Sequence, residues 1–201
     1  MKRIVVIWTL VVSMMAAFSG CVNNASSFDE VVAARRSVRS YDPNKKISED
    51  QVRILIATVQ EAPSWANVQA TRFYAVMSDA KLQEAKAAML NNQNTVADAP
   101  VLIVTTYRQG ESGFFSGEAA NEVGNGWGAF DAGLSNAFLV LKAKEMGFDT
   151  VIMGLRDANA LRNALSIPSE EVIMSVVALG YGNQEPQRPE RKALNEVLHI
   201  K

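Results

Sequence analysis

Residues 33–42 read AARRSVRSYD, which packs Arg35, Arg36 and Arg39 into five positions of a 201-residue chain whose formal net charge is −1. Arg35 and Arg39 are four apart, and Arg36 and Arg39 are three apart. On one continuous helix those spacings set like charges side by side, at a cost of about 0.2–0.5 kcal/mol per pair. Either the helix leading into the stretch ends there, or an anion neutralises the cluster, or both.

The flanking residues favour an ending helix. Ser27 and Glu30 have the spacing of a capping box, and Phe28, Val31 and Val32 give the turns after it an apolar face. The helix is expected to run out around Arg36, and Asp42-Pro43-Asn44 then breaks the chain. A second box, Ser48 to Gln51, opens a helix that Pro63 closes. Further on, TRFYAVM reads as a strand, Ser78 caps a third helix, and PVLIVTTY is a strongly apolar strand. Residues 108–128 form a loop rich in glycine and aromatic residues, with Phe114, Phe115 and Trp127 placed to line a substrate mouth. Its GNGWG run lacks the strand–turn–helix setting of a dinucleotide fingerprint. A helix over 129–146 carries apolar residues on most of its circumference, so it is expected to be buried on all sides, with a partner subunit closing one of them. The strand DTVIMG, a short helix capped by Asp157, a last long strand EVIMSVVALGYG and a proline-containing tail complete the chain. The tail's Leu194, Val197, Leu198 and Ile200 could pack on a second subunit or on the chain's own core. Irregular alternation of helices and strands points to an α+β domain, a mixed sheet flanked by helices.

The N-terminus reads as an address. Lys2 and Arg3 precede the largely apolar run 4–18, and Ser19-Gly20-Cys21 follows, with the only cysteine of the chain. Fifteen residues are short for a membrane span, which needs about 20. A signal peptide over 1–20 fits, with SGC resembling a bacterial lipobox in which Cys21 takes the lipid; an ordinary secretory signal is the alternative. Residues 21–27 would be a tether and 28–201 the folded domain, held at the bacterial cell envelope. Without Lys2 and Arg3 the 20 basic residues become 18 against 21 acidic, a net charge of −3 that gives no support to nucleic-acid binding. With one histidine, His199 in the tail, and no cysteine beyond position 21, the usual hydrolytic and zinc constellations lack their central part. No metal is expected. An enzyme built from these residues would lean on an organic cofactor.

Three stretches then line up with one family. RRSVRSYDP resembles the N-terminal R-x-S-x-R/K-x-F/Y signature of the nitroreductase family of FMN enzymes. EAPSWANVQATRFYAV resembles that family's A-P-S-x-x-N-x-Q-P-W segment, and VIMGLRDANALRNALSIPSEEVIMSVVALGYG with RPERKALNEVLH resembles its C-terminal pattern. The resemblance covers nearly all of residues 28–200. It implies an intertwined homodimer with FMN at the subunit interface. Arg35, Ser37 and Arg191 would bind the FMN phosphate, with Arg36 beside them and Arg39 nearer the ring. Pro63, Ser64 and Asn67 would come from the neighbouring subunit, and Asn92, one of three asparagines in NNQN, would face the pyrimidine edge. Backbone N–H groups of Met153 and Gly154 would face flavin N5. The implied activity is reduction of nitroaromatic, quinone or related acceptors, with hydride entering and leaving at N5 and no side chain acting as acid, base or nucleophile. The donor would be NAD(P)H-type, although a location outside the cytoplasm argues for another. A flavin carrier without turnover, or dehalogenase or oxidase chemistry on the same fold, are the alternatives. Trp65 and Ala70-Thr71 depart from the family pattern and bear on the acceptor more than on FMN.

Overall fold

The computed structural model describes residues 27–201. The expected leader 1–20, Cys21 and all of the tether except Ser27 lie outside the described residues. Helix α1 (Phe28–Ala34) carries both bonds of its capping box, Ser27 N to Glu30 Oε2 at 2.7 Å and Glu30 N to Ser27 Oγ at 3.3 Å. It stops one to two residues before the expected end, because Arg35 already has extended backbone (φ −61°, ψ 128°). Helix α2 (Glu49–Val59) is capped as expected by Ser48 and Gln51, yet ends at Gln60 through tight turns rather than at Pro63. Strand β1 (Thr71–Val76), α3 (Asp79–Ala87), α4 (Gln93–Val96) and β2 (Val101–Arg108) follow. At α3 the Ser78 hydroxyl makes no capping bond, so that expectation holds for position only. The 108–128 loop contains a small hairpin, β3 (Phe114–Phe115) and β4 (Glu118–Ala119). The order then runs α5 (Gly126–Glu145), β5 (Asp149–Met153), α6 (Ala158–Leu165), β6 (Glu171–Gly180) and α7 (Leu194–Val197).

The main sheet has the order β1-β2-β6-β5, and every ladder in it is antiparallel. Among the described residues, the parallel component of the mixed sheet is one bridge, Ser37 to Thr150. Side chains alternate across a strand, so β2 feeds two cores. Leu102 and Val104 pack with Leu82, Met89 and Leu161 under α3 and α6. Val101 and Ile103 pack with Leu55, Val59, Leu139 and Ala143 under α2 and α5. Covered on both faces, β2 reads as a continuous apolar run. The register slips between Thr105, opposite Ser175, and Thr106, opposite Ile173, which leaves Met174 as the bulged residue. Beyond that bulge, Asn136 of α5 accepts from Thr105 Oγ1 and donates to Ser175 Oγ, each at 2.9 Å.

Within one chain α5 is covered on its sheet side, and the side expected to be closed by a partner subunit stands open. Ala132, Ser135, Asn136, Leu139 and Ala143 face the sheet and are buried, but Phe130 is 56 % and Phe138 37 % exposed. Phe130, Leu134, Ala137, Phe138 and Leu141 recur at helical spacing on the far side, and a single chain has only one sheet to cover with one helix. Leu194, Val197, Leu198 and Ile200 of the tail are also exposed, so within one chain they do not join the core.

Candidate functional site

The arginines of the opening stretch do meet. Arg35, Arg36, Ser37 and Arg39 line a cavity of about 340 Å³ together with Arg188 and Arg191 from the other end of the chain. Two local events make this possible: α1 ends at Ala34, and Val38 N then donates to Thr150 O at 3.0 Å, which docks the extended 35–39 segment against β5. No carboxylate among the described residues lines the cavity. Among the described residues, none of its five arginines lies within 4.0 Å of one. Arg36 spends its guanidinium on backbone, donating to Ala33 O and Arg35 O, while Arg39 Nη1 donates to Ser37 O at 3.1 Å. Burial lowers the proton affinity of Arg35, and the charges of Arg191, Arg36 and Arg188 lower it further. Crowded cations of this kind form an anion site, and planar guanidinium forks beside a serine hydroxyl suit a phosphate.

The other expected ring-side residues gather where β5 ends. Met153 is buried, Gly154 follows it into the open, and Asn92 Nδ2 donates to Leu155 O at 2.8 Å. A Cβ built on Gly154 would meet nothing within 4 Å, so packing inside the chain does not demand a glycine there. What a glycine does supply is close access of a flat group to the backbone. The Ser37–Thr150 bridge joins this strand end to the arginine cavity, with Thr150 three residues before Met153.

Pro63, Ser64 and Asn67 are not brought to the arginine cavity within one chain. Ser64 lines a separate cavity of about 360 Å³ with Gln69, Arg72, Phe73 and Ser135. The loop that carries these residues is unusual. Ala66 (φ 43°), Asn67 (φ 58°) and Gln69 (φ 55°) are left-handed without being glycine, a conformation that costs roughly 1–3 kcal/mol each and persists where surroundings over-determine it. Inside the loop, Ser64 Oγ accepts from Gln69 N at 3.0 Å and Asn67 Oδ1 accepts from Gln69 Nε2 at 3.1 Å. From outside, Trp65 N donates to both oxygens of Asp131 at 3.1 Å, and Asp131 Oδ2 accepts from Ser112 Oγ at 2.6 Å. Trp65 packs its ring 4.6 Å from Trp127 and 5.9 Å from Phe115, centroid to centroid. The expected mouth residues Trp127 and Phe115 therefore sit against the loop of Ser64 and Asn67.

Sequence reasoning missed two residues here. Arg188 stands three before Arg191 in the same RPER segment, and its charge was the available signal. Asp131 lies 66 residues from Trp65, inside a helix that otherwise reads as apolar, and no local pattern marks it.

The profile of the Nitroreductase family matches residues 32–181. MhqN of Bacillus subtilis (strain 168), an NAD(P)H nitroreductase by name, is 24 % identical over 202 residues, covering 86 % of this chain and 98 % of the relative. An enone reductase of conjugated linoleic acid biosynthesis from Lactiplantibacillus plantarum is 35 % identical over a shorter 91 residues, 45 % of this chain and 41 % of that one. Among solved structures, a protein of Exiguobacterium sibiricum described as a nitroreductase in complex with FMN superposes with a TM-score of 0.79. It is 21 % identical and covers 88 % of this chain and 98 % of its own, a likeness of fold.

Proposed function

The chain belongs to the nitroreductase family, and on that premise we propose that it is an FMN-dependent oxidoreductase reducing nitroaromatic, quinone or related acceptors. One observation carries the proposal: Arg35, Ser37 and Arg191, from opposite ends of the chain, line one cavity with no carboxylate among its described residues. A phosphate monoester brings about 1.5–2 negative charges and would offset the burial, and relieve the repulsion from Arg191, Arg36 and Arg188, that together lower the proton affinity of Arg35. FMN fits the residues present, with its phosphate held by Arg35, Ser37, Arg191 and the newly found Arg188. Arg36 and Arg39 add positive potential at the same mouth, and Gly154 leaves room for the ring near Met153 and Asn92. FMN bound there would supply the redox chemistry between an NAD(P)H-type donor and the acceptor. The protein's share is to bind, orient and exclude water. Pro63, Ser64 and Asn67, which lie apart from the cavity of their own chain, serve the flavin of a second subunit in a homodimer. The exposed face of α5 around Phe130 and Phe138 supports that assembly. A lipid on Cys21 would hold the domain at the cell envelope, and loss of labelled fatty acid from a Cys21→Ser chain tests this part separately.

The decisive experiment is a visible spectrum of the purified chain after addition of FMN and removal of the excess. A retained flavin band that NADPH or NADH bleaches, and that a quinone restores, is the expected result. No retained flavin defeats the reading. A retained flavin that neither nicotinamide bleaches defeats the donor assignment and leaves the cofactor site standing.

A further inference from the structure

The loop at 63–69 is held by a residue that no sequence motif marks. Asp131 is 1 % exposed, and both of its carboxylate oxygens accept from Trp65 N, while Oδ2 also takes the hydroxyl of Ser112. No cation stands within 4.0 Å of it among the described residues. Burying an ionised carboxylate without a cation is expensive, and hydrogen-bond donors are what make it tolerable. A neutral side chain could fill the same space at lower cost, so what the carboxylate holds matters. It holds a segment whose residues 66, 67 and 69 sit in left-handed backbone. Among the described residues, the Trp65 N–H, shared between both oxygens of Asp131, is the one hydrogen bond tying residues 64–68 to another element. The bonds of Ser64, Asn67 and Gln69 to one another shape the loop without anchoring it.

We propose that Asp131 is the positioning residue of the cofactor cradle: it fixes Trp65 so that Ser64 and Asn67 are presented to the flavin of the partner subunit. This rests on the FMN reading above. Asp131 acts through the loop and touches neither cofactor nor acceptor. Through Ser112 it also ties the 108–125 segment to the same point, so the Trp65, Trp127 and Phe115 rings are set by one carboxylate.

A matched control lies on the same helix. Asn136 is five residues on, also buried, and makes two side-chain bonds of its own, but to Thr105 and Ser175 of the sheet. The test compares Asp131→Ala, Asp131→Asn and Asn136→Ala in the full chain, by FMN titration, near-ultraviolet dichroism of the Trp65–Trp127 pair, and thermal melting. Asp131→Ala is expected to weaken FMN binding about tenfold or more, as loss of hydrogen bonds to a charged group does, and to change the tryptophan dichroism. Asp131→Asn keeps one acceptor oxygen and should recover part of both, and it carries the test if the alanine variant does not fold. Asn136→Ala should lower the melting temperature as much while leaving FMN affinity and the dichroism unchanged. The proposal is overturned if the Asp131 variants leave FMN affinity unchanged, or if Asn136→Ala weakens it equally. If the unsubstituted chain binds no flavin, the cofactor reading fails on its own, and the dichroism still decides whether Asp131 sets the Trp65 loop.

Discussion

The two halves of the candidate site are built on opposite principles. The arginine cavity uses ordinary extended backbone and puts its specificity in side chains that crowd like charges together. The Trp65 loop uses short or neutral side chains and puts its specificity in backbone that only a buried carboxylate and two neighbouring rings keep in place. One half is electrostatically unsatisfied until an anion arrives; the other is conformationally strained whether or not a ligand arrives. A charge site gains from its ligand directly, whereas a strained loop has to be held by the fold beforehand.

The sharpest way to break this contrast is to remove charge from one half. Arg35→Ala should weaken FMN binding by roughly 10- to 100-fold, about 1.5–3 kcal/mol for a hydrogen bond to a charged group, with the thermal melt of the apoprotein little changed. Fluorescence titration of FMN in low and high salt reads this, and the variant should also show a shallower salt dependence. Unchanged affinity would remove the phosphate role. The next test disturbs the seating of the other half. A Cβ on Gly128, one turn before Asp131, would run into the Tyr107 ring at Cδ2 and Cε2. Gly128→Ala should therefore cost about 1–3 kcal/mol of stability by overpacking. It should weaken FMN through the loop while inorganic phosphate still binds the arginine cavity. If phosphate binding falls in parallel, the halves are not separable.

Smaller effects refine the comparison. Ala66→Gly removes the penalty of φ 43° but frees the unfolded chain, so its net effect should stay within about 1 kcal/mol. A chemical-denaturation midpoint checks it, and a large loss would show that Ala66 packs rather than merely bends. Outside both halves, burial and then the hydrogen bond to Glu171 push the Tyr74 phenol up to about 12. A raised value means the fold favours the neutral phenol. That stability is fully present below pH 10 and is lost as pH rises through about 12. Tyr74→Phe should flatten the alkaline limb of a pH–stability curve and leave flavin binding alone.

How much of this was readable in sequence follows the range of each interaction. The boxes at Ser27–Glu30 and Ser48–Gln51 involve residues three apart, and both form as written. The RRSVR and RPER segments declare their charge locally, whereas the grouping of Arg35, Ser37 and Arg191 came from the resemblance to the nitroreductase family, and Arg188 was passed over. The apolar circumference of α5 says how much surface must be covered and not by which chain, so one chain leaves Phe130 and Phe138 exposed on the side expected to meet a partner. The left-handed residues at 66 and 69 are alanine and glutamine, types that give no turn signal, and only Asn67 hinted at it. The bond that ties their loop to the fold runs from Trp65 to Asp131, 66 residues away, which no spacing rule reaches.

Among the described residues, one backbone hydrogen bond, Val38 N–H to Thr150 O, joins the segment beside the arginine cavity to the strand that leads to Met153, with Val38 itself almost fully buried. That amide is an observer placed inside the joint. Its hydrogen–deuterium exchange requires the 35–39 segment to lift off β5, which is also the motion that would open the grip on an anion. Slowing of this one amide when phosphate or FMN is added would report how tightly the two ends of the site move as one body. The same readout on Trp65 N–H, bound to Asp131 instead, should barely respond to phosphate.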